Sequence, residues 1–129
     1  MKSMRFTLLL ALLIPLLALA VGCAPSGGAV EDEADFTGEV TDVQHIGRGE
    51  VLGTVLAEEK VVTQDGEYLD KYVLTVKSDT AIFDERGGDR RSATFEALAV
   101  GQRVQVWFSG PVKESYPMQV DAGQIVIVK

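Results

Sequence analysis

Groups that can pass protons, attack carbon or hold a metal are scarce in this chain of 129 residues. It has one histidine (His45), one cysteine (Cys23) and one tryptophan (Trp107), beside 19 acidic and 12 basic side chains. A catalytic triad or a histidine-based metal site would have to be built around His45. No Ser or Asp near it stands in a nucleophile motif, so His45 reads as a surface residue at a strand end. Zinc ribbons and disulfide frameworks need several cysteines, and the sequence holds no phosphate-cradling glycine loop. Glu58-Glu59 stands beside Lys60 in a polar stretch and reads as a solvated face; a glycosidase needs two carboxyls facing each other across a cleft. The expectation is a protein that is not an enzyme, with no catalytic residue, no metal and no cofactor.

Residues that bind rather than react are better represented. Arg86, Arg90 and Arg91 form the one basic cluster, and guanidinium groups can chelate an anion bidentately; Asp84, Glu85 and Asp89 neutralise them locally. Trp107 and Tyr116, with Arg103, are the candidate ligand-binding residues, because exposed aromatics stack sugars or anchor a protein partner. The structural alternative has Trp107 covering the barrel against a helix. In the same alternative Ser115-Tyr116-Pro117 forms a corner, with Tyr116 plugging the barrel end. A formal charge of −7 argues against nucleic acid, whose phosphates would repel such a surface.

The lone thiol has a distinct context. Lys2 and Arg5 precede an uncharged apolar run from Phe6 to Val21, the pattern of a signal peptide and too short to span a bilayer comfortably. Leu19-Ala20-Val21-Gly22-Cys23 resembles the lipobox of bacterial lipoproteins, in which the cysteine is acylated and becomes the new N-terminus. An ordinary signal peptide or an uncleaved anchor helix are the alternatives. The resemblance implies residues 1–22 as a cleaved lipoprotein signal peptide, lipid attachment at Cys23 with palmitate-type chains, and stable anchoring because each buried methylene contributes about 0.8 kcal/mol. The protein would then lie outside the cytoplasm on the cell membrane, or on the outer membrane of a two-membrane cell. Removing residues 1–22 takes away Lys2 and Arg5 and no acid, leaving 10 basic against 19 acidic side chains, a charge of −9. Anionic headgroups would repel such a chain apart from its lipid.

Residues 23–35, small and then acidic through Glu31-Asp32-Glu33-Ala34-Asp35, read as a flexible tether. From Phe36 the pattern changes to period two. Strands are expected at Phe36–Thr41, at Val51–Leu56 with a continuation at Val61–Thr63, at Tyr72–Lys77 resuming at Thr80–Phe83, at Val104–Phe108 and at Gln124–Val128. Gly38 suggests a bulge or close backbone approach, and Asp65-Gly66 a hairpin turn. Asp84–Arg91 reads as an exposed polar loop, and Ser92 or Thr94 to Gly101 as a short helix. The last strand, apolar on both faces, should be buried on both sides. The fold class is all-β, with residues 36–129 forming a small five-stranded OB-like Greek-key barrel that carries one short helix between strands 3 and 4; an open β-sandwich is the alternative.

Leu98-Ala99-Val100-Gly101-Gln102-Arg103-Val104, followed by Gly110-Pro111 and Ser115-Tyr116-Pro117-Met118-Gln119, is similar to the C-terminal half of the YobA-like small bacterial proteins. Phe36–Val40 and Ser78–Ile82 extend the resemblance. It implies a small β-barrel, secreted or lipid-anchored, from a domain-of-unknown-function family, and it supplies no catalytic residues.

The reading is a bacterial cell-envelope lipoprotein serving as a non-catalytic binding module for an envelope protein, held to the membrane by its N-terminal lipid. The second is a module for oligosaccharide or peptidoglycan fragments, and the third an extracytoplasmic hydrolase. No nucleic-acid partner is expected.

Overall fold

The computed structural model describes residues 32–129. The expected signal peptide, residues 1–22, the expected lipid-attachment residue Cys23 and the expected tether as far as residue 31 lie outside the described residues. Seven strands follow in order: β1 (Phe36–Arg48), β2 (Val51–Thr63), β3 (Gly66–Lys77), β4 (Ala81–Arg86), β5 (Asp89–Ser92), β6 (Arg103–Lys113) and β7 (Met118–Val128). The sheet order is β3-β2-β1-β6-β7-β4-β5, and a further β3–β7 pairing closes β1, β2, β3, β7 and β6 into a ring. A five-strand barrel with two extra strands is therefore present, and the open sandwich is excluded.

Closure uses one edge of β7 twice. Met118–Asp121 pairs in parallel with Tyr72–Thr75 of β3, and Gln124–Val128 then pairs in parallel with Ala81–Glu85 of β4. Between them, Thr80 accepts the Lys77 amide at 2.9 Å and donates its hydroxyl to the Ala122 carbonyl at 2.8 Å. This hydroxyl fastens the β3–β4 turn to the strand that both flank.

Two glycines permit the tight curvature of the first strands. A Cβ on Gly38 would collide with the Glu58 carbonyl oxygen and the Phe36 ring, and one on Gly53 with the Gln44 carbonyl oxygen and the Phe95 ring. The interior is filled by alternate residues: Val40, Val55, Leu74, Val76, Val104, Val106 and Ile125 retain no exposed surface. Each contributes roughly 1.5–3 kcal/mol by leaving water. Val126 is equally buried although it lies outside that cluster, so β7 is covered on both faces as expected.

Two expectations are corrected. The residues expected as a short helix make only a single 3-10 turn, Phe95–Ala97, and Ser92 belongs to β5. Thr94 gives no side-chain cap. Gln102 instead donates to the Ala97 carbonyl at 2.8 Å and accepts the Ala99 amide at 2.9 Å, consuming backbone groups that a continuing helix would need. Phe95 and Leu98 are buried, and a spacing of three serves a 3-10 turn as well as an α-helix. Asp84–Arg91, expected as a loop, contains the β4–β5 hairpin, closed by Gly87-Gly88 with φ of 58° and 91°. That dipeptide is a hairpin signal in its own right.

Candidate functional site

Apolar side chains gather on the exterior at the far ends of β2 and β3. The pairing of β1 with β2 reaches only to Glu58, and that of β3 with β7 begins at Tyr72. Beyond those limits the two strands continue as a free two-stranded arm, with Lys60 opposite Leu69, Val61 opposite Tyr68 and Val62 opposite Glu67. At the tip, Thr63 Oγ1 accepts the Asp65 amide at 3.2 Å and donates to the Gly66 carbonyl at 3.1 Å, while Gly66 supplies a φ of 134°.

The period of two puts Val61 and Tyr68 on one face of the arm and Val62 and Leu69 on the other. Val62 is 68% exposed, Tyr68 55% and Leu69 41%. The β6–β7 loop reaches across to this arm. Ser115 Oγ donates to the Pro117 carbonyl at 2.7 Å, and the Tyr116 hydroxyl donates to the Leu69 carbonyl at 2.9 Å, with the Lys71 ammonium 5.8 Å from the Tyr116 ring centroid. Tyr116 nonetheless keeps 67% of its surface exposed. It is a strut on the outside of the molecule, not a plug in the barrel end.

Charge borders this surface. Lys60 pairs with Glu67 at 3.4 Å and Lys71 with Glu58 at 3.9 Å. Where the arm joins the barrel, the Tyr72 ring packs on Phe36 at 4.6 Å and on Phe108 at 5.1 Å. Burial pushes its phenol pKa up, and the carboxylates of Asp70 and Asp35 push in the same direction.

The other residues singled out by type are dispersed. Arg103 grips Glu59 of β2, with Nη2–Oε2 at 2.6 Å and Nη1–Oε1 at 3.3 Å, and the paired carboxylate holds its pKa above the ordinary value. Trp107 is half-buried, with the Arg90 guanidinium 6.0 Å from its ring centroid, and Arg90 also donates to Glu85 at 3.0 Å. Trp107, Arg103 and Tyr116 thus engage separate partners. Arg86 and Arg91, with Asp84 and Asp89, line an open hollow of about 360 Å³ on the β4–β5 hairpin. His45 stays exposed, its ring edge-on to Phe95 at 4.8 Å. Asp35, expected as the last residue of a flexible tether, is held to β6: its amide donates to the Val106 carbonyl at 2.9 Å and its carboxylate accepts the Phe108 amide at 2.8 Å. Among the described residues no group of three His, Cys, Asp or Glu side chains is placed to hold a metal ion.

Val62, Tyr68 and Leu69 escape a search organised around chemically active residue types. Their signal is the pair of adjacent apolar dipeptides, Val61-Val62 and Tyr68-Leu69, flanking the Asp65-Gly66 turn. Adjacent apolar residues on a strand place one side chain on each face, so at least one face is uncovered unless a second layer exists.

A family model described as protein of unknown function (DUF3221) matches residues 52–129, more than half of the chain, and the chain belongs to that family. No curated protein matches, and no solved structure does.

Proposed function

We propose that this member of the DUF3221 family is a bacterial cell-envelope lipoprotein whose barrel is a non-catalytic binding module for an envelope protein, with the β2–β3 arm and Tyr116 as its docking surface. The observation that carries the reading is the exposure of Val62, Tyr68, Leu69 and Tyr116 together at one end of the barrel. Solitary exposed apolar residues are ordinary, whereas a cluster rimmed by charge is the usual form of a protein interface. The anchor half of the reading rests on the basic start, the apolar run and Leu19–Cys23. The domain works outside the cytoplasmic membrane, tethered through residues 23–35.

Two measurements test the two halves. Cells fed labelled palmitate should incorporate it into the wild-type chain and not into Cys23→Ser; equal labelling of both removes the lipid anchor. Photo-crosslinkers at positions 69 and 116 should form one shared adduct with an envelope protein that a crosslinker at position 86 does not form. Identical adducts from all three positions would refute the docking surface.

The second reading, a module for oligosaccharide or peptidoglycan fragments, draws support from Tyr116. The strand order is that of an OB-type barrel, and such barrels bind oligosaccharides on the face of strands 2 and 3 beside the loop joining the last two strands. Tyr116 lies in that loop and touches the third strand. Under this reading soluble wall fragments shift the amide resonances of Leu69 and Tyr116.

A further inference from the structure

The β4–β5 hairpin treats the charges on its two faces differently. Asp84 stands opposite Arg91 and Arg86 opposite Asp89, and strand alternation sends these four side chains to one side. Closer to the barrel that side belongs to the core: Ile82 is buried, and so is Ile127, which lies beside Asp84 on β7. Beyond Ile82 the row turns charged, and the four side chains line the hollow of about 360 Å³. On the opposite face the hairpin closes its charges on themselves, with Arg90 donating to Glu85 at 3.0 Å.

Around the hollow the signs alternate. Facing residues of such a ladder stand about 5.5 Å apart at Cα, and residues two apart on a strand about 7 Å. Asp84, Arg86, Asp89 and Arg91 therefore mark the corners of a small rectangle with like charges on its diagonals. They do not satisfy one another. Arg86 Nε is 3.8 Å from Asp84 Oδ1 and Lys129 Nζ is 3.8 Å from Asp84 Oδ2, both too long for a hydrogen bond. The side chains of Asp89 and Arg91 form no ion pair among the described residues. Asp84 Oδ1 has almost no exposed surface and accepts no hydrogen bond. A carboxylate oxygen withdrawn from water without a donor is unfavourable, and a ligand in the hollow can supply the donor.

This pattern selects among ligands. A simple anion would gain two guanidinium groups and face two carboxylates, and a simple cation the reverse. A molecule carrying both signs on one carbon meets an opposite charge with each end, and a guanidinium group can hold a carboxylate by two parallel bonds. We propose that the hollow on the β4–β5 hairpin is a binding site for a small α-amino acid. Its carboxylate lies against Arg86 and Arg91, and its ammonium against Asp84 and Asp89. The inference goes beyond the docking surface and uses other strands.

Calorimetric and amide NMR titrations of the full chain in detergent test the site, with glycine, acetate and methylammonium as probes. Glycine joins the charges of the other two in one molecule. It should bind saturably, shift the amides from Asp84 to Arg91, and bind roughly tenfold more tightly than either half. Arg91→Gln should weaken both glycine and acetate roughly tenfold. Asp89→Asn should weaken glycine alone and leave acetate as tight or tighter, a split that a general loss of structure does not produce. Acetate equal to glycine on the wild type would make the hollow an anion site and overturn the proposal. The absence of a saturable shift with glycine overturns it as well, and these wild-type comparisons decide the matter if a variant does not fold. Crosslinking at positions 69 and 116 does not depend on this result, so the docking surface and the amino-acid site stand or fall separately.

Discussion

Arg103 of β6 and Glu59 of β2 are joined by two nearly parallel hydrogen bonds, at 2.6 and 3.3 Å, across the intervening strand β1. The side chains remain 50% and 34% exposed, so water screens the pair. Exposed pairs contribute about 0–1 kcal/mol, and Arg103→Ala should cost no more than that in chemical denaturation. A larger loss would mean that the clamp bears on barrel closure.

Val106 has no exposed surface and faces Ile125 across the β6–β7 ladder. Val106→Asp would bury a carboxylate without a partner and should destabilise the barrel by several kcal/mol. A melting temperature equal to the wild type's would refute the register of β6.

Gly53 stands where a methyl group would run into the Gln44 carbonyl and the Phe95 ring. Both neighbours are confined, one by the β1–β2 ladder and one by burial, so Gly53→Ala should destabilise by about 1–3 kcal/mol through overpacking. Gly87→Ala makes no such contact and is strained only by its φ of 58°, which costs roughly 1–2 kcal/mol. Comparing the two denaturation midpoints separates close approach from backbone strain.

The Tyr72 phenol is held neutral by burial and by nearby carboxylates. Its folded pKa is above the ordinary 10.0, so the folded state binds the proton more tightly than the unfolded chain. The stability linked to that proton is fully present below pH 10 and is lost as pH rises through the folded value. Ultraviolet titration should therefore contain a late component that Tyr72→Phe removes. Its persistence in the variant would assign the shift to another tyrosine.

Removing the Thr80 hydroxyl leaves the Lys77 amide and the Ala122 carbonyl without their shared partner. Thr80→Val should cost about 1–3 kcal/mol, because one half-buried donor and one acceptor lose their bond together. Hydrogen exchange should accelerate first at Lys77, and unchanged protection there would show that water replaces the hydroxyl.

The motif residues are legible in structural terms. Gly101 and Gln102 of Leu98–Val104 stitch the 3-10 turn to β1: the Gly101 amide donates to the Val40 carbonyl and the Val40 amide to the Gln102 carbonyl, both at 2.8 Å. Ser78-Asp79-Thr80 makes the turn fastened to β7. These resemblance-bearing positions serve closure of the barrel, and the surface with exposed apolar groups lies largely elsewhere.

Alternation of apolar and polar residues specified which side of each strand faces the core, because a period of two is a local property that burial then enforces. It was sufficient for the all-β class and the buried sets in β1, β3, β6 and β7. The pairing of β3 with β7, the hairpin alongside β7 and the separation of Trp107 from Tyr116 depend on contacts between residues far apart in the chain, about which local periodicity is silent. The arm belongs to the same class. Val62, Tyr68 and Leu69 read locally as strand residues like any others, and only the points at which β1 and β7 stop pairing with β2 and β3 leave them facing water.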